Sequence, residues 1–274
     1  MAADRAGRMT AAGAARAVHG EWTKLRTVPG QLWTVVALTG AMIAFTALIA
    51  ASAEEGQSGV LAPTALSLSG VYLAQTAAAL VAIAVVCGEY PRMIRTTLAA
   101  NPRRTTVFLA KAAVTTAAVL AAALPAVLGS LATGRAVLSG SSGPSDSPGS
   151  SGFPQLPLSS PELWRATLGT VVYLLLVALL SVGVALVVRH AAAAVGAVMA
   201  LLYGPYLATL IITMPEHVLH RVQKFSPMTA GLAVQTTTGP GTAPLAPWTG
   251  IAVLAAYAGG ALVVGWAVLR RRDA

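Results

Sequence analysis

Residues Gly88–Lys111 read GEYPRMIRTTLAANPRRTTVFLAK. This is the one long polar interruption that carries dense charge. Arg92, Arg95, Arg103 and Arg104 fall within 13 residues, and Lys111 follows. Apolar runs flank it, roughly Leu68–Cys87 before and Thr106–Ala132 after. The alternation predicts two membrane spans joined by a basic loop on the cytoplasmic side, where Lys and Arg collect. Pro91 suits the first position of a helix, where a missing N–H costs nothing. Asn101-Pro102 is a stop signal, because a proline pushes the residue before it out of the helical region. A short helix over Pro91–Ala100 is therefore expected. Ile94 and Leu98 are four apart and share one face, with Arg92 and Arg95 largely off it. Two readings stand. The loop satisfies the charge rule and does nothing else, or it docks a cytoplasmic partner. The rule explains the arginines as a set but not a helix bounded so tightly by prolines.

Working outward, the whole chain has the same grain. Its 274 residues are 56% hydrophobic and 10% charged, with mean hydropathy +0.72. A soluble domain carries about 25% charged residues. The composition predicts an all-α, polytopic membrane protein. The net charge of +9 does not point to nucleic acid, since the bases cluster at the ends of apolar runs. No basic-aromatic stretch of the kind that stacks single strands is present. The single cysteine, Cys87, excludes an intramolecular disulfide and any Cys-rich metal site.

Residues 1–30 form a basic cytoplasmic segment. Val18, Trp22 and Leu25 recur at helical spacing, which predicts an amphipathic helix over about Ala14–Thr27 along the inner leaflet. Pro29-Gly30 then turns the chain. Six spans follow within a transmembrane domain of residues 31–269, at about 31–53, 66–87, 105–132, 161–188, 191–214 and 247–269. A signal peptide competes for the first, because Ala51-Ser52-Ala53 resembles a cleavage site. The apolar run is longer than a signal core of about 7–15 residues, which favours an uncleaved span. Lys111 lies about 9 Å into the third span at 1.5 Å per residue and is expected to snorkel to the inner headgroups. Pro125 is expected to kink the outer third of that span. Residues 134–160, rich in Gly, Ser and Pro, are expected to be a mobile outer loop. Residues 270–274 read as a basic cytoplasmic tail.

The fifth span holds Tyr203-Gly204-Pro205-Tyr206 near its middle. Pro205 removes one backbone hydrogen bond, and Gly204 admits a close neighbour. Two tyrosine hydroxyls at that depth need partners, in a neighbouring helix or in a cavity. A kinked packing helix and a pathway-lining helix both fit. Beyond it, Leu219, Val222 and Phe225 predict a short amphipathic segment at the outer surface. His217 and His220 could share a face, but no third metal ligand has suitable spacing. Gly259-Gly260 in the last span is expected to allow close helix packing.

Sidedness follows from counting. With both termini cytoplasmic, only Arg135, Arg165, Arg221 and Lys224 lie outside, leaving 14 of the 18 basic residues inside. The inverted arrangement violates the charge rule. No GxxxxGK[ST] phosphate loop exists, and no Ser-His-Asp arrangement is credible, so ATP hydrolysis by this chain alone is not expected. The spans hold almost no ionisable groups, which disfavours an ion-coupled carrier. An apolar, tyrosine-bearing pathway suits an amphiphilic or lipid-like substrate.

Two motifs carry a family likeness. GEYPRMIRTTLAANPRRTTVFLAK resembles the loop after the second span of ATP-binding-cassette (ABC) type-2 transporter permeases, the bacterial exporter kind. Glu21-Trp22-Thr23-Lys24-Leu25-Arg26 is similar to the EWxKLR segment before their first span. Arg92 stands where those permeases would carry a glycine. The resemblance implies a plasma-membrane assembly of two permeases and two ATPases. The ATPase is a separate chain and binds the ATP and magnesium; no cofactor is expected on this one. Pro91–Ala100 would be the coupling helix, with Glu89, Pro91, Arg92, Ile94, Arg95 and Leu98 toward the ATPase. Glu21, Trp22, Lys24 and Leu25 would form the inner-interface helix. Spans two and five would face the partner permease and line the pathway, placing Tyr203, Gly204, Pro205 and Tyr206 on it. The reading from another class is a non-transporting membrane protein, an assembly factor or a sensor's partner subunit.

Overall fold

The computed structural model describes residues 19, 20, 22, 23, 29–52, 63–88, 104–140, 157–212, 215–236 and 245–272. The expected helix Pro91–Ala100, with Glu89, Pro91, Arg92, Ile94, Arg95 and Leu98, lies outside the described residues. So do Glu21, Lys24 and Leu25. The described chain is helical, with no strand: α1 (Pro29–Ser52), α2 (Pro63–Ser67), α3 (Val71–Cys87), α4 (Arg104–Gly140), α5 (Pro161–Val188), α6 (Ala191–Ile211), α7 (Glu216–Phe225), α8 (Pro227–Leu232), a 3-10 turn (Ala233–Gln235) and α9 (Pro247–Arg272). Prolines open α1, α2, α5, α8 and α9, where their missing N–H would have no partner anyway.

Five stretches are long and apolar enough to cross a membrane: Thr64–Cys87, Phe108–Ser139, Pro161–Val188, Ala191–Ile211 and Pro247–Arg271. Within α1, Val36–Ser52 is a shorter apolar helix. Their composition is that of a membrane-embedded bundle, since a helix satisfies its own backbone where no water can.

α5 is the central post. It packs against α3, α4, α6 and α9, while α1 lies across α3 and α4. Tyr173, Leu174, Val177 and Ala178 of α5 are fully buried. α5 and α9 approach each other closely. A Cβ on Gly183 would stand 2.4 Å from the Ala261 carbonyl carbon, and one on Gly265 2.9 Å from the Gly183 oxygen. The Gly259-Gly260 pair, expected to serve that purpose, faces open space. The buried stripe of α9 runs through Ile251, Leu254, Ala258, Gly265 and Leu269, and the glycine pair falls off it. α5 ends at Arg189, which takes the left-handed conformation (φ 60°) and closes the turn with its N–H on Ala185. His190 then caps α6, its Nδ1 accepting from the Ala193 N–H at 3.4 Å.

The stretch Thr64–Cys87 is broken at Leu68–Gly70. The Gly70 N–H leaves the helix ladder and donates to Thr46 Oγ1 at 3.0 Å. Thr46 Oγ1 meets Ser130 Oγ at 2.6 Å, and Ser130 donates to the Ser67 carbonyl at 2.8 Å. Three helices thus share one buried polar knot. Any side chain on Gly70 would collide with the Met42 carbonyl oxygen, 2.0 Å from the Cβ position.

Several bounds differ from the sequence reading. α4 continues to Gly140, into the stretch expected to be loop. Packing explains it, because Leu138 is buried with Ala50 and Leu66, and local glycine and serine content carries no sign of that contact. Residues 141–156, the rest of that stretch, lie outside the described residues. α4 also runs unbroken through Pro125. α9 includes Arg270–Arg272 as its last turn, where positive charge suits the helix dipole. Arg270 also stacks over Trp266, 4.7 Å from the ring centre. Lys111 does not snorkel. It is 2% exposed, and its Nζ donates to the Val85 carbonyl at 3.3 Å.

Sequence reading missed α8. After the surface helix α7, which buries no residue, the chain turns at Ser226 and dips into the bundle. Pro227, Met228, Ala230 and Gly231 are buried against α5, α6 and α9.

Candidate functional site

α3 carries three polar side chains at helical spacing in an otherwise apolar run: Tyr72, Gln75 and Thr76. Tyr72 lies within a turn of both, but Gln75 and Thr76 are consecutive and point about 100° apart, so they meet different neighbours. Gln75 turns inward and Thr76 turns toward α6. The structure builds a polar centre on each side.

The inward centre is dry. Gln75 and Tyr173 are 0% exposed and Met228 1%. The Tyr173 hydroxyl donates to Gln75 Oε1. Gln75 Nε2 donates to the Met228 sulfur at 3.6 Å. Gly231 lies flat on the Tyr173 ring, where a Cβ would stand 2.6 Å from ring carbons. Two further bonds hold the dipping segment: Gln235 Nε2 to Thr170 Oγ1 at 2.9 Å, and Arg165 Nη2 to the Thr236 carbonyl at 2.7 Å. A buried amide or phenol left unpaired costs about 1–3 kcal/mol, so these bonds fix where α8 sits.

The outward centre lies between α3 and α6. Tyr203 donates its hydroxyl proton to the Tyr72 carbonyl. Its oxygen then accepts from Thr76 Oγ1 at 3.0 Å. The Met199 sulfur, 3.8 Å from the same Oγ1, is the weaker alternative acceptor. Tyr203 thereby finds the partner that its depth demands, in a neighbouring helix. Tyr72 itself is 39% exposed, so this centre opens at the surface of the bundle. Leu73 and Leu80 of α3 and Leu207 and Leu210 of α6 extend the open surface on either side.

Of the other residues singled out, Gly204 meets no atom of the described residues within 4 Å of a built Cβ, so none of them uses the close approach it allows. Pro205 sits within an unbroken α6, and Tyr206 is half-buried against the core. Trp22 is exposed, on a stretch where residues 19, 20, 22 and 23 are helical. Tyr72, Gln75, Thr76 and Tyr173 were missed. The signal was there, since polar side chains at i, i+3 and i+4 interrupt an apolar span. Their partners lie 98 to 153 residues away in sequence.

Two hollows flank these centres. One, of about 470 Å³, is lined by Leu180, Val184, Leu201, Ala256, Tyr257, Gly260 and Ala261, between α5, α6 and α9. The other, of about 330 Å³, lies between the C-terminal part of α4 and the start of α5, with Arg135 and Trp164 among leucines. Among the described residues no three His, Cys, Asp or Glu side chains converge. The arrangement offers hydroxyls, a thioether and apolar wall. No protein-family model and no curated protein matches the chain.

Proposed function

We propose that the chain is the membrane-spanning subunit of an ATP-driven ABC transporter of the type-2 kind. It sits in the plasma membrane with six spans and both termini cytoplasmic, and exports an amphiphilic, drug-like, peptide or lipid substrate. The observation that supports this best is the α3–α6 contact. The two helices that the resemblance assigns to the pathway meet through Tyr203, Thr76 and the Tyr72 carbonyl, and that contact opens on the bundle surface. A second permease, another copy or a related chain, completes the pathway across that face. The ATPase is a separate subunit that holds ATP and magnesium and acts on the segment containing Glu89, Pro91, Arg92, Ile94, Arg95 and Leu98. The helix with Glu21, Trp22, Lys24 and Leu25 lies beside it at the inner leaflet.

The test is co-purification. The tagged chain should retain an ATPase with a phosphate loop. Arg95→Ala with Leu98→Ala should lose that ATPase while inserting in the membrane at normal level. Truncating a central anchor of such an interface costs about 2 kcal/mol or more, enough to release a partner in a wash. Retention of no ATPase by the unaltered chain would return it to the non-transporting class. Full retention by the double variant would remove this segment from the coupling role.

A further inference from the structure

The buried lysine of α4 has no place in the account so far. Lys111 is 2% exposed, among the largest fully enclosed side chains of the molecule. Its Nζ donates to the Val85 carbonyl, in the last turn of α3. The final carbonyls of a helix lack intrahelical donors, and a lysine suits them both as donor and against the helix dipole. The neighbouring carbonyl, of Ala84, is taken by the Gly88 N–H. Ile83, Val86 and Cys87, at the same end of α3, belong to the main core, and Phe108 of α4 packs against it. Val85, Val114 and Ala118 form a cluster separate from the main core. On the face turned to Lys111, Val85 of α3 meets Val114 and Ala118 of α4, and the lysine supplies the polar contact between the two helices.

We propose that Lys111 is a positioning residue for transport: it seats the inner end of α3 on α4 and so sets the angle at which Thr76 meets Tyr203. Thr76 lies nine residues before Val85 on one helix, about 14 Å along its axis. A helix of that length moves as a rod. A tilt released at Val85 is delivered to the Thr76–Tyr203 contact. The role in transport rests on the ABC reading; the effect on α3 does not.

The experiment separates the two. In a Cys87→Ala background, Thr76→Cys and Met199→Cys place thiols on facing helices. Their cross-linking by a short bifunctional thiol reagent is followed in membranes, with and without the co-purified ATPase and ATP. Lys111→Met keeps length and apolar volume but loses the donor. It should lower the cross-link yield without ATP and abolish any ATP-dependent change, with the ATPase still bound. Lys111→Arg should restore both. Wild-type yield and wild-type ATP response in Lys111→Met would overturn the proposal. If the unaltered chain binds no ATPase, the ABC reading falls, and the yield without ATP still decides whether Lys111 positions α3. Should Lys111→Met fail to insert, Lys111→Gln replaces it. Failure of both, with insertion rescued only by arginine, would assign Lys111 to folding alone and overturn the positioning role.

Discussion

Tyr173 and Tyr203 both bring a phenol into an apolar bundle, and their surroundings set different penalties for losing it. Tyr173 and its partner Gln75 are fully enclosed, so Tyr173→Phe strands an amide oxygen with no water to take over. The expected loss is about 1–3 kcal/mol of stability. Tyr203 is half-buried and bonds a carbonyl and a threonine beside the open face. Polar contacts between membrane helices average about 0.6 kcal/mol, so Tyr203→Phe should cost less. Thermal unfolding of both variants in one detergent checks the order, and an equal or reversed ranking contradicts it. That Tyr203 needs a partner is legible in the sequence, because a hydroxyl at that depth cannot go unpaired. Which partner is not legible, because Thr76 lies 127 residues earlier and only the helix packing joins them. Lys111 teaches the same lesson in reverse. Its place near a span end predicts snorkelling, and the nearby end of α3 instead supplies a carbonyl acceptor inside the bundle.

For the helices, glycine position decides what can be changed. Gly183→Ala would drive a methyl into the α9 backbone, and overpacking of that kind costs about 1–3 kcal/mol. Gly259→Ala adds its methyl to open space and gains helix propensity, so folding stability should hold or rise by up to about 1 kcal/mol. Unfolding of the two variants side by side checks the contrast. Pro205 raises a different question, since α6 runs unbroken through it. If the residue shapes the pathway, Pro205→Ala should impair transport while leaving ATPase binding intact. Normal transport would return α6 to plain packing. The helices themselves are largely legible from hydropathy: α5 occupies the expected 161–188, and α7 forms where Leu219, Val222 and Phe225 suggested. The dip of α8 is not, because Pro227–Leu232 is too short to show a period and is held by contacts from α5, α6 and α9.

The bundle as a whole is asymmetric in how firmly it holds its parts. The arginine and lysine count predicts that labels at Ser145→Cys and Arg272→Cys, with Cys87→Ala, react from opposite sides of the membrane; labelling of both from outside would end the six-span topology. α5 is gripped on all sides, whereas α6 buries only Ala194, Val198 and Leu202. The lengths diverge as well. α4 has 37 residues, about 55 Å, and α6 has 21, about 31 Å. The hydrocarbon layer is about 30 Å thick. α4 has length to spare and can tilt or protrude as lipids change. α6 has none: in a thicker layer its ends are drawn inward, and this least buried of the five spans must stretch its surroundings or shift against α3. A longer acyl chain is therefore expected to load the Tyr203–Thr76 contact before any other helix contact of the bundle.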